Sequence, residues 1–204
     1  MTWTRFLSIA LLCGAAACAD GGQRGSGITF AAGNVASVDG STASLGGIHV
    51  TVAGTDLATD TDDGGRFSVH GRFAGDTMMV FARAVGAETL EARLNVNIPA
   101  GGTLTARDLQ LSSMTGEALP AALQVAFEGR IVMLACDAGR VTLVSTQRDP
   151  SDDDTYVLIL QGSNLHDRQG RPRTCAELAL DDRLRVDGFF AADGTIGNAD
   201  VIVQ

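Results

Sequence analysis

Leu45-Gly46-Gly47-Ile48-His49-Val50-Thr51-Val52-Ala53-Gly54-Thr55, followed by Thr61-Asp62-Asp63-Gly64-Gly65-Arg66-Phe67-Ser68-Val69, decides how the chain folds. From Ile48 to Val52 apolar residues alternate with less apolar ones. A strand with one buried face requires this, because successive side chains point to opposite sides. Phe67-Ser68-Val69 repeats the alternation. Between the two runs, Asp62-Asp63-Gly64-Gly65 reads as a hairpin turn, in which Gly supplies positive φ and Asp side chains bond back to the local backbone. Working outward, Met78 to Ala82 and Leu104 to Leu111 add strand-like runs. These segments predict a small antiparallel β-sandwich over residues 28–112.

Residues 113–122 interrupt the strand pattern and read as a linker. Beyond them, Val125 to Leu134 and Arg140 to Ser145 form a hairpin around Cys136-Asp137-Ala138-Gly139. Tyr156 to Leu160 is an apolar run, and Arg183 to Phe190 alternates Leu184, Val186 and Gly188 with charged neighbours. Asp193-Gly194 then turns the chain into a last strand, Thr195 to Val203. Five short strands with one long excursion predict a small OB-like β-barrel over residues 123–204, a pattern that an open sandwich fits as well. No window carries helical periodicity long enough to anchor a helical domain. The fold class is therefore all-β.

The N-terminus reads as an export signal. Arg5 forms a positive n-region, Phe6 to Leu12 an apolar run, and Gly14 to Ala17 a small-residue segment ahead of Cys18. Ala16-Ala17-Cys18 resembles the lipobox of bacterial lipoproteins, in which the cysteine is acylated and becomes the first residue of the mature chain. Ala15 stands where that family usually has Leu, and ordinary signal-peptide cleavage nearby needs the same small residues. Residues 1–17 are thus expected to be a signal peptide. Residues 18–27, Gly-rich and polar, are expected to be a lipidated tether lifting the domain off a membrane. The apolar run is too short to span a bilayer, for which about 20 residues are needed. The implied location is a bacterial cell envelope, with the membrane as partner through the anchor.

Gly33-Asn34-Val35, the Leu45–Thr55 stretch and the Thr61–Val69 stretch together resemble the carboxypeptidase regulatory-like domain. Its motif runs G-x-V, L-x-G-x-x-V-x-V-x-G-T and T-D-x-x-G-x-F. The resemblance implies a transthyretin-like sandwich over about residues 28–112 and a generally non-catalytic module. Leu178 to Gly188, with Asp193-Gly194-Thr195-Ile196, is similar to a family of uncharacterised bacterial exported domains, with Asp181 in place of that motif's Gly.

Charge and cysteine content limit the partners. The chain has 15 basic residues, none of them Lys, against 24 acidic ones, for a net charge of −9. Phosphate backbones would repel it, so nucleic acid is not expected. Cys136 and Cys175 remain after the signal and the lipid acceptor. In an oxidising compartment they read most simply as a disulfide, with two buried thiols as the alternative.

Two clusters bear on function. Asp60, Asp62 and Asp63 offer hard oxygen ligands to calcium, but without EF-hand spacing they read better as a turn. His166, Arg168, Arg171 and Arg173 lie in one excursion of an acidic protein. Their guanidinium forks are the best candidates for gripping a carboxylate or sulfate, against a plain surface loop. No G-x-S-x-G, H-E-x-x-H or phosphate-cradling Gly loop is present, so neither an enzyme nor a cofactor is expected. The expected function is a non-catalytic binding or structural module that meets an envelope protein or a glycan. The alternative is an accessory carbohydrate-binding protein of a glycan or peptide processing system. Against that alternative stands the scarcity of Trp and Tyr for sugar stacking, which leaves Phe to serve.

Overall fold

The computed structural model describes residues 27–204 apart from 43, 86 and 87, and it is all-β. The first half supplies eight strands: β1 (Thr29–Val38), β2 (His49–Val52), β3 (Ala58–Asp60), β4 (Arg66–Gly71), β5 (Gly75–Val85), β6 (Glu88–Ile98), β7 (Thr103–Ser112) and β8 (Glu117–Leu119). They form two layers, β4-β1-β7 and β3-β2-β5-β6-β8, with β8 also pairing the far end of β7. Inward residues alternate along each strand, as in β4, where Phe67 and Val69 are buried between exposed Arg66, Ser68 and His70. Ala31, Val35, Leu104, Ala106 and Leu109 of one layer face Val50, Val52, Met79, Phe81 and Leu94 of the other in a single core. Phe67 meets Phe81 across it, edge to face, with ring centroids 5.3 Å apart. Such a pair adds about 0.5–1.5 kcal/mol beyond the area it buries.

The sandwich is antiparallel with two exceptions: β1 runs parallel to β7, and β6 meets β8 in parallel at Arg93 and Glu117. The turn at Asp62–Gly65 also differs from the expected hairpin. Strand β4 pairs with β1 and not with β3, so the turn carries the chain from one layer to the other. Local bonding is the cause. Asp62 Oδ1 accepts from the amides of Gly64 and Arg66, and Val35 N donates to Gly65 O at 2.8 Å, which seats the turn against β1.

The second half forms β9 (Ala122–Ala135), β10 (Arg140–Ser145), β11 (Tyr156–Ile159), β12 (Asn164–Asp167), β13 (Arg183–Phe190) and β14 (Ile196–Val203), with 3-10 turns at Cys136–Ala138 and Cys175–Glu177. The order β9-β10-β11-β14-β13 returns to β9, so five strands close an OB-like barrel. β11 meets β14 in parallel at Leu158 and Ile196, and β12 lies parallel to β14 farther along the same margin, opposite β13. Val125, Phe127, Ile131, Leu143, Leu158, Leu184, Ile196 and Val201 fill the interior. Closure removes free edges, which leaves the barrel without a template for strand addition there.

The two halves share one sheet. Thr103–Arg107 of β7 pairs with Ala122–Ala126 of β9, and Phe190 packs against both cores. Residues 113–122 include β8 and the first residue of β9.

Candidate functional site

The arginine-rich excursion is organised by one carboxylate. Asp167 is 6% exposed, and its Oδ1 accepts from the amides of Gln169 and Arg171. Its Oδ2 lies 2.7 Å from Arg171 Nε and 3.6 Å from Arg173 Nη2. Burial pushes the carboxyl upward, but the bonds from Arg171 and Gln169 outweigh it and hold the group below the ordinary carboxylate range. Arg173 also pairs with Glu177, whose carboxylate accepts from both the amide and the hydroxyl of Thr174. His166 lies 2.9 Å from the Asp167 carbonyl through Nδ1 and 3.0 Å from Asp200 through Nε2. Those two acceptors raise its pKa.

The guanidiniums of Arg171 and Arg173 are thus turned onto the loop's own acids. Arg168 alone of the four candidates makes no ion pair with a described residue. Asp167 carries this arrangement, and its role is invisible in sequence because Leu165 and Arg173 must first be brought together across the loop.

The acidic turn is likewise committed to backbone. Asp62 caps its own turn, Asp63 lies exposed, and Asp60 Oδ1 sits 2.8 Å from His49 Nδ1 across β2 and β3. Thr61 between them points the other way. Its buried hydroxyl donates to Leu45 O and accepts from Ile48 N, which ties the stretch to β2. Among the described residues no group of three or more His, Cys, Asp and Glu side chains is arranged to hold a metal ion.

Cys136 and Cys175 are joined as a disulfide, their Cα atoms 5.5 Å apart. The bond ties the β9–β10 turn to the 3-10 turn that follows the arginine-rich loop. The expected signal peptide, Cys18 and the tether up to residue 26 lie outside the described residues, and Gly27, the last tether residue, is buried.

A further concavity was not signalled by any motif. The outer face of β4-β1-β7 carries an open cleft of about 680 Å³ lined by Ala32, Asn34, Arg66, Thr105, Arg107 and Asp108 around Gly33. Gly33 lies beneath it with its α-carbon turned to the core, where a Cβ would lie 2.2 Å from Ala106 O and 3.0 Å from the Phe67 ring. Asn34 and Asp108 lock together, with Asn34 Nδ2 donating to Asp108 Oδ1 and Asp108 N donating to Asn34 Oδ1. This clasp holds Asp108 at a φ of 50°. Arg107 donates to Gln124 at 2.7 Å, and the Arg66 guanidinium has no partner among the described residues. Farther along β1, the half-exposed ring of Phe30 stacks on His70 at 5.7 Å.

The class defined by these features is an all-β protein, a sandwich continuous with an OB-like barrel, with a polar cleft on the shared sheet. No protein-family model matches the chain, and no curated protein matches it.

Proposed function

We propose that this chain is a lipid-anchored protein of a bacterial cell envelope that acts as a non-catalytic binding module. In this reading Cys18 carries the anchor, and residues 28–112 are a carboxypeptidase regulatory-like unit. The observation that supports it best is the Cys136–Cys175 disulfide, because such bonds persist in oxidising compartments and are rare in the cytosol. The lipobox-like Ala16-Ala17-Cys18 points to the same side of the membrane.

The carbohydrate-binding alternative gains support from Phe30, which is 45% exposed and stacked on His70. That ring answers the shortage of Trp and Tyr.

Metabolic labelling with a fatty-acid analogue tests the anchor. The wild-type chain should be labelled and held in the membrane fraction, and Cys18→Ala should be unlabelled and released. One acyl chain holds only marginally, so firm retention also reports more than one chain. Equal release of both proteins would overturn the anchor.

A further inference from the structure

The outer face of β4-β1-β7 combines groups that ordinary surface packing does not require together. Arg66 and Arg107 bring two guanidiniums to one open cleft in a protein of net charge −9. Among the described residues neither is paired with a carboxylate, and Arg107 donates to Gln124. Arg forks match the two oxygens of a carboxylate in plane, and a pair of them suits one such group. Between them stand Asp108, an acceptor with Oδ2 outside the Asn34 clasp, and the hydroxyl of Thr105.

Asp108 decides the ligand class. A phosphate or sulfate carries charge on every face and would be repelled by that carboxylate. A molecule with a carboxylate on one side and hydroxyls on the other satisfies both the guanidiniums and Asp108. The apolar ring of Phe30 lies four residues up β1 from Asn34, which is about 13 Å at strand rise. Both residues fall on the outer side of the strand, as the alternation of buried Ala31 and Val35 requires. A ligand that reaches both ends must be extended, polyhydroxylated and partly apolar on one face.

We propose that this cleft binds an acidic oligosaccharide, a glycan bearing sugar carboxylates. Arg66 and Arg107 clasp one carboxylate, Asp108 and Thr105 take ring hydroxyls, and Phe30, backed by His70, stacks under a neighbouring ring. The inference deepens the binding-module reading by assigning its ligand. Its test is independent of the anchor, which stands or falls by labelling at Cys18.

Calorimetric titration of the purified protein with trigalacturonate, its methyl ester and inorganic phosphate tests the assignment. Trigalacturonate should bind saturably, and the methyl ester should bind at least about tenfold more weakly, the loss expected when one charge-assisted pair is removed. Phosphate should not compete. Arg66→Gln and Arg107→Gln should each reproduce the methyl-ester loss, and Phe30→Ala should weaken binding severalfold. Arg140→Gln, exposed at the start of β10 on the barrel, should bind as the wild type does. Absence of saturable binding, equal binding of acid and ester, competition by phosphate, or wild-type affinity in both cleft variants would each overturn the proposal. Unchanged circular dichroism and melting of the variants keep a binding loss distinct from misfolding.

Discussion

His166 and Asp167 are neighbours with opposite responses to pH. His166 sits between the Asp167 carbonyl and the Asp200 carboxylate, so its charged form, with both ring nitrogens donating, is favoured and its pKa is raised. Stability from such a group is fully present below the unfolded value of about 6.5 and is lost as pH rises through the folded one. His166→Gln should therefore lower the melting temperature more at pH 5 than at pH 9, measured against wild type in the same buffers. The ring's partners are Asp167 O and Asp200, Asn164 also donates to Asp200, Arg173 lies 3.6 Å from Asp167, and all are unchanged in the variant. A gap that grows with pH would contradict this assignment. For Asp167, whose carboxyl is held low, the contribution is present above the ordinary carboxylate range and lost in acid.

Within single elements, the inter-layer turn is the most demanding. Gly65 has a φ of 76°, and a Cβ there would lie 2.4 Å from Val35 O, the backbone against which the turn is seated. Gly40 has nearly the same φ, 77°, with nothing within 4 Å. The pair separates backbone strain from collision. Gly40→Ala should cost about 1 kcal/mol, the left-handed conformation alone. Gly65→Ala should cost clearly more, about 2–4 kcal/mol, because the Val35 carbonyl must also move. Urea melts of the two variants measure the difference, and equal losses would show that the turn yields freely. Strand β6 teaches a different lesson at this scale. Its alternation of Ala92, Leu94, Val96 and Ile98 with Glu91, Arg93, Asn95 and Asn97 is a plain strand signal. Reading from the glycine-rich motifs outward passes over it.

For the whole molecule, the disulfide and the shared sheet act on different parts. Closing 39 residues lowers the entropy of the unfolded chain by an amount worth about 3–4 kcal/mol in the loop-closure account. All of that loop belongs to the barrel. Reduction, or the Cys136→Ser/Cys175→Ser variant, should therefore lower the melting temperature of the barrel by more than about 10 °C. Tyr156 is the chain's only tyrosine and is buried against Phe127 in the barrel core, so its fluorescence reports this transition directly. Hydrogen exchange in β5 and β6, on the opposite layer of the sandwich, should change little. A loss shared equally by β5 and β6 would mean that the β7–β9 pairing makes one cooperative unit of the two halves.

The sequence by itself determined the local pieces. Period-two alternation marked β2, β4, β7 and β13 because one-sided burial writes itself into neighbouring residues, and turn residues marked β9 and β14. Two lone cysteines in the second half read most simply as a disulfide, and the strand count fitted a small barrel or an open sandwich. The tertiary structure alone decided the parallel pairing of β1 with β7 and the crossing of the Asp62–Gly65 turn between layers. It also decided the continuation of the sandwich into the barrel. Strand partners far apart in the chain are chosen by which faces meet, and a single strand carries no mark of its neighbour. The same reason governs the polar sites. The arginines conspicuous in sequence, Arg171 and Arg173, are paired with Asp167 at the surface, a contact that forms only once the loop folds back. Arg66 and Arg107, 41 positions apart and unremarkable in sequence, reach one cleft only because β1 lies between their strands.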